Sequence, residues 1–161
     1  MHVERRGGVG LAAVDVGRAM GLRVIAAASS ADKRDLAMSR GAEAAIDTSV
    51  PDAAAAMKEQ VREWGGGGAD LVYDPVGGTA FDTSLRCIAP EGRLIPMGFA
   101  SGTIPQIPAN ILLVKNVTVI GFYYGYWNGW GGKTAPSPKE AAALAKRRAM
   151  VAAAQKELMQ W

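Results

Sequence analysis

The chain has 161 residues, a formal net charge of +3, 49% hydrophobic and 20% charged residues, which bounds it to about one ordinary α/β domain with a real core and argues against disorder. One cysteine (Cys87) and one histidine (His2) exclude an internal disulfide and offer no Cys/His zinc ligand set. Lys and Arg are scattered apart from Lys146-Arg147-Arg148, so no nucleic-acid partner is expected, and the absence of a signal peptide or long apolar run predicts the cytoplasm and no membrane partner.

The first landmark is Glu4-Arg5-Arg6-Gly7-Gly8-Val9-Gly10, a glycine cluster opening a helix. Met1-His2-Val3 is all that is expected of a preceding strand, and Glu4 stands at the first glycine position of a dinucleotide fingerprint. Val9, Ala12, Ala13, Val16, Ala19 and Met20 recur at helical spacing, and Gly21 closes that helix. Residues 22–28 form an apolar run of strand length. Ser29-Ser30-Ala31-Asp32 has the form of a capping box opening a second helix, which ends at Gly41. Ala44-Ala45-Ile46 reads as a strand. Pro51 suits the first turn of a third helix with Met57, Val61 and Trp64 on its buried face, followed by a turn at residues 65–68.

Leu71-Val72-Tyr73 is a strand ended by Asp74-Pro75. Thr79-Ala80-Phe81-Asp82 repeats the capping-box pattern, with Phe81, Leu85 and Ile88 on one helix face and Cys87 beside them as a buried, inert thiol. Residues 93–97 read as a strand ending at Gly98. A short helix over 111–114 leads to an apolar strand over 117–123, an aromatic and glycine-rich stretch over 125–132, and an Ala-rich helix from Lys139. Helices alternating with fully apolar strands predict an α/β fold, a doubly wound Rossmann-type parallel sheet with its first strand truncated. The strand order 3-2-1-4-5-6 puts that strand at the centre, so its loss opens a gap between the strands on either side. Either residues 1–6 contribute a stub, or the sheet is strained or pairs with something else. Residues 1–136 are expected as an NADP-binding domain and 137–161 as a C-terminal helix.

Three places carry chemistry. Gly7, Gly8 and Val9 at a helix start let backbone N–H groups approach a pyrophosphate; the plain alternative is a close-packed helix entry. NAD sites place an acid at the end of the second strand, but here stand Ala28, Ser29 and Ser30. Lys33 and Arg34 face a 2′-phosphate in this reading, with the serine hydroxyls as hydrogen-bond partners, which favours NADP over NAD. The alternative has Ser29 as a cap and both bases solvated. Asp74-Pro75-Val76-Gly77-Gly78 and Gly98-Phe99-Ala100-Ser101-Gly102 follow successive strands, where a nicotinamide crevice lies; otherwise they are plain turns. No catalytic constellation is present, which suits chemistry carried by a cofactor.

In order along the chain, Gly7-Gly8-Val9-Gly10-Leu11-Ala12-Ala13-Val14, Val24-Ile25-Ala26-Ala27-Ala28-Ser29-Ser30, Asp70 to Gly78, Gly92 to Gly102, Ile107-Pro108-Ala109-Asn110 and Val119-Ile120-Gly121 resemble the zinc-independent quinone oxidoreductases of the medium-chain dehydrogenase/reductase superfamily. The resemblance covers residues 7 to about 126. It implies an NADPH-dependent reductase of quinones or other α,β-unsaturated carbonyls, without metal. It implies Gly8 and Val9 at the pyrophosphate and Ser30 and Lys33 at the 2′-phosphate. Val76, Gly77, Phe99, Ala100, Phe122 and Tyr123 would lie along the nicotinamide half. It implies a homodimer through the strand at 117–123. This chain departs from the family at Glu4, Arg5 and Arg6, and at Thr48, where relatives carry tyrosine. It is expected to lack the GroES-like domain that forms the other wall of the cleft. Two functions follow: the cofactor-binding part of an oxidoreductase, or a nucleotide-binding or oligomerisation remnant without turnover.

Overall fold

A computed structural model describes residues 8–130 and 136–159. The chain divides into two compact units, one up to Gly121 and one from Phe122 onward. Gly7 and the proposed stub of strand at residues 1–6 lie outside the described residues.

The first unit alternates helices and strands: α1 (Gly8–Ala19), β1 (Ile25–Ala28), α2 (Ala31–Ser39), β2 (Ala44–Asp47), α3 (Ala53–Gly65), β3 (Ala69–Asp74), α4 (Gly78–Cys87), β4 (Ile88–Pro96), α5 (Ala109–Lys115) and β5 (Thr118–Val119). Every strand pairing is parallel. Among the described residues the strands form two separate sheets, β1-β2 and β3-β4-β5, and the residues that precede α1 are not among them.

Glycine ends the first two helices as the sequence predicts. Gly21 takes φ +74° beyond α1, and the Leu22 amide donates back to the Gly17 carbonyl at 2.9 Å. Gly41 takes φ +100° beyond α2, and the Ala42 amide donates to the Ala37 carbonyl at 3.0 Å. The helix starts differ from expectation. The N-cap of α2 is Ser30 and its side chain makes no capping bond, so the Ser29–Asp32 capping box does not form. The helix begins one residue later than that pattern requires, which puts Lys33 rather than Asp32 at the third helical position. Likewise α4 starts at Gly78 behind an N-cap at Gly77, so Thr79 lies inside the helix and cannot cap it. Asp52 caps α3 by accepting the Ala55 amide at 3.1 Å, leaving Pro51 one residue before the cap.

β1 shows why the sheet is covered on both faces. Its neighbouring alanines point to opposite sides. Ala26 packs with Val14, Ala37 and Ala42, from α1 and around α2. Ala27 packs with Ile46, Val61 and Cys87, so α3 and α4 cover the other face. A third cluster, Phe81, Leu85, Ile88, Leu94 and Val117, joins α4 to β4 and the start of β5. Cys87 is buried as expected, and burial raises its thiol above the ordinary range, with Lys115 and Lys58 opposing.

The final apolar strand is much shorter than 117–123. Only Thr118 and Val119 pair, with Arg93 and Leu94. The Ile120 amide still donates to the Leu94 carbonyl at 2.9 Å, but Gly121 and the residues after it leave the ladder. The second unit contains α6 (Tyr124–Trp127) and α7 (Pro138–Leu158). α7 starts one residue before Lys139 and carries a true capping box between Ser137 and Glu140. Arg147 lies 4.8 Å from the centre of the Trp127 ring, a cation–π contact.

Phe81 is fully buried at the centre of the largest cluster. Phe81→Ala should cost about 3–5 kcal/mol of stability, which urea unfolding of the whole chain would measure.

Candidate functional site: a crevice at the carboxyl ends of the strands

The turn leaving β3 is built around Asp74, whose carboxylate is buried. One carboxylate oxygen accepts the Val76 amide at 2.8 Å and the Gly77 amide at 3.1 Å. That bond pattern folds the chain directly from strand into α4. Gly77 and Gly78 have φ +72° and +55°, a region that side chains rarely adopt. A Cβ on Gly77 would also meet the Thr103 carbonyl oxygen at 2.9 Å and the Phe99 ring at 3.0 Å.

The structure brings the two predicted loops together. The Ala100 amide donates to the Pro75 carbonyl at 3.2 Å, Ser101 to Val76 at 2.9 Å, and Gly78 to Thr103 at 3.1 Å. Val76 and Gly77 are buried beneath this join, while Phe99 and Ala100 stay exposed on it. Ser101, within the loop the sequence marked but given no role there, and Thr103, which it did not single out, hold the loops together.

At the end of β1, Ser29 and Ser30 are exposed and Lys33 is half-buried. Arg34 is engaged: its guanidinium lies 2.9 Å from the Asp47 carboxylate and donates to the Ala28 carbonyl at 3.2 Å. Among the described residues Lys33 has no ion pair and no side-chain hydrogen bond, so it is the base available to an anion there. Ser29 and Thr48 line a crevice of about 240 Å³ together with Tyr73, Asp74 and Thr79, at the ends of β1, β2 and β3.

Gly8 and Val9 open α1 and are both exposed. Among the described residues a Cβ at Gly8 would meet nothing within 4 Å, at the N-terminus of a 12-residue helix whose free amides suit an anion. Phe122 and Tyr123 belong to the second unit and are 41% and 72% exposed. The arrangement offers backbone amides, small residues and one free cation at the carboxyl ends of a parallel sheet. It can bind and orient a phosphorylated ligand. Among the described residues no three His, Cys, Asp or Glu side chains come close enough to hold a metal ion. No helix among them is long and apolar enough to cross a membrane.

The comparisons agree with this geometry. The family described as zinc-binding dehydrogenase matches residues 8–135. Quinone oxidoreductase-like protein 2 of Bos taurus is 45% identical over 121 residues, 74% of this chain and 34% of that protein. The quinone oxidoreductase of Pseudomonas aeruginosa is 38% identical over 109 residues, 68% of this chain and 33% of that protein. This chain therefore spans about a third of the length of these relatives. A mycobacterial protein solved in complex with NADPH superposes with a TM-score of 0.73 at 30% identity, covering 97% of this chain and 44% of that one.

Gly77→Ala should cost about 1–3 kcal/mol, because the backbone there is in a glycine region and the loop behind it cannot retreat; chemical denaturation checks it. The Asp47 carboxyl is held below the usual range by the Ser49 hydroxyl, the Ser49 amide and then Arg34. A depressed folded pKa stabilises above the unfolded value and is lost as pH falls through the folded one. Stability should thus decline on acidification below about pH 4, and Asp47→Asn should flatten that limb in a melting series against pH.

Proposed function

The chain belongs to the zinc-binding dehydrogenase family and is quinone oxidoreductase-like within it, and from this we propose that it binds NADPH as the cofactor-binding part of a reductase. Its family is one of NAD(P)-dependent oxidoreductases. The described residues bring no three metal-ligating side chains together, so they do not fit a zinc centre.

The observation that supports the reading is the end of β1, where Ser29 and Ser30 are exposed, half-buried Lys33 has no ion pair among the described residues, and the one near acid, Asp32, stands on the first turn of α2 and not at the strand end. An acid there would repel a 2′-phosphate and attract ribose hydroxyls instead. Arg34, held by Asp47 and the Ala28 carbonyl, ties the start of α2 to the ends of β1 and β2 beside Lys33. Gly7, Gly8 and Val9 would receive the pyrophosphate. Val76 and Gly77, with Phe99 and Ala100, would flank the nicotinamide.

When bound, NADPH supplies a hydride to a quinone or other α,β-unsaturated carbonyl. The chain's own part is to hold the phosphates, set the nicotinamide against the joined loops and exclude water with Phe99. We further propose a homodimer through the outer edge of β5, beside which Ile120 is 38% exposed.

Titrating the chain with NADPH and NADH should show tighter binding of NADPH. Lys33→Glu should remove that preference through a loss of about tenfold in NADPH affinity, the size of one charge-assisted hydrogen bond. An unchanged affinity ratio in the variant would refute the 2′-phosphate assignment. Binding without quinone reduction would favour a nucleotide-binding protein without turnover. Sedimentation should give a dimer, and Val119→Pro a monomer, because proline removes a ladder donor.

A further inference from the structure

We propose that Arg34 helps set the preference for NADPH over NADH by masking an acid, Asp47, which lies one strand away from the place where a ribose-binding acid stands. Given the 2′-phosphate site beside Lys33, on which this assignment rests, Arg34 and Asp47 become determinants of cofactor choice that act without touching the phosphate.

The register of the ladder puts the acid there. β1 and β2 run parallel, and Ala28, which ends β1, pairs with Asp47, which ends β2. In a site that takes NAD, an acid at the end of β1 binds the ribose hydroxyls. Ala28 offers no such group, but its neighbour does, about 4.8 Å across the sheet. The next residues along, Ser29 and Thr48, both line the crevice of about 240 Å³ at the strand ends. Asp47 itself keeps 35% of its side chain exposed, so its charge is felt at that end.

Arg34 reaches from the start of α2 across both strand ends. One guanidinium nitrogen lies 2.9 Å from an Asp47 carboxylate oxygen, and another donates to the Ala28 carbonyl at 3.2 Å. That carbonyl also accepts the Thr48 amide at 3.2 Å, so the guanidinium is fixed to the ladder itself. The Arg34 side chain is 21% exposed, and a pair so withdrawn from water is screened less than a surface pair. The other oxygen of Asp47 accepts the Ser49 hydroxyl at 2.6 Å and the Ser49 amide at 2.8 Å. Those two bonds, ahead of Arg34, hold the Asp47 carboxyl below the usual range, so the acid keeps its charge when Arg34 is removed. Unmasked, it would repel a 2′-phosphate and favour the plain ribose of NADH. With both its partners in place, Arg34 spends its charge on cancelling that acid, and Lys33 is left to meet the phosphate.

The full chain, Arg34→Gln, Asp47→Asn and the double variant are each titrated with NADPH and with NADH at low ionic strength. Arg34→Gln should lower the ratio of NADPH to NADH affinity about fivefold, and Asp47→Asn should raise it by about the same factor, the size of one unit charge a few ångströms away in water. The double variant should return close to the native ratio, because acid and mask are removed together. Added salt should shrink both single shifts. A double variant as low as Arg34→Gln would put the guanidinium on the phosphate itself and overturn the masking. Equal weakening of both cofactors in the single variants, with the ratio unmoved, would reduce the pair to a structural tie and overturn it as well. Lys33→Glu tells this failure from that of the 2′-phosphate site. If Lys33→Glu removes the preference while the Arg34 and Asp47 variants leave the ratio alone, the masking fails by itself. If Lys33→Glu leaves the ratio alone too, or the native chain binds neither cofactor, both fail.

Discussion

The buried carboxylate of Asp74 accepts the Val76 and Gly77 amides and so turns the chain from β3 into α4 within a few residues. A looser turn would carry Pro75 and Val76 out of reach of the loop after β4. The hydrogen bonds from Ala100 and Ser101 would then be lost, and with them the wall on which Phe99 is displayed. Both glycines that follow are needed because the turn passes through backbone angles that a Cβ resists. One short-range interaction thus sets the shape of the crevice and the start of the helix whose Phe81 and Leu85 anchor the core.

Close approach governs the other half of the first unit. β1 carries alanines where other sheets carry larger residues, and a Cβ on Gly17 would meet the Val24 side chain at 2.8 Å. Small residues on both partners bring α1 down onto the sheet, which puts Gly8 level with the strand ends. The position of α1 against the sheet and the alanine content of β1 are therefore one requirement seen from two sides.

Much of this was legible in the residues. Gly21 and Gly41 mark helix ends because the positive φ needed there is cheap only for glycine. The parallel sheet followed from apolar runs that leave no polar face. What failed were readings that turn on a single position. Ser29–Asp32 and Thr79–Asp82 have the spacing of capping boxes, yet the helices start one residue later and two residues earlier than that spacing requires. Residues 117–123 are apolar throughout, but apolarity reports burial and not pairing, and only Thr118 and Val119 find partners. At the candidate site, the glycines and the two loops were visible as local patterns. The pairing of Arg34 with Asp47 was not, since it joins the start of one helix to the end of the next strand.

The divided sheet also changes which parts of the molecule are guarded. In a closed sheet the central strands hold their amide protons longest, since both edges are paired. Here Ile25 and Ala27 direct their amides away from β2, while Ala26 and Ala28 direct theirs toward it. Exchange with deuterated water should therefore be slow at Ala26 and Ala28, whose amides meet β2, and along β3 at Val72 and Asp74, whose amides meet β4.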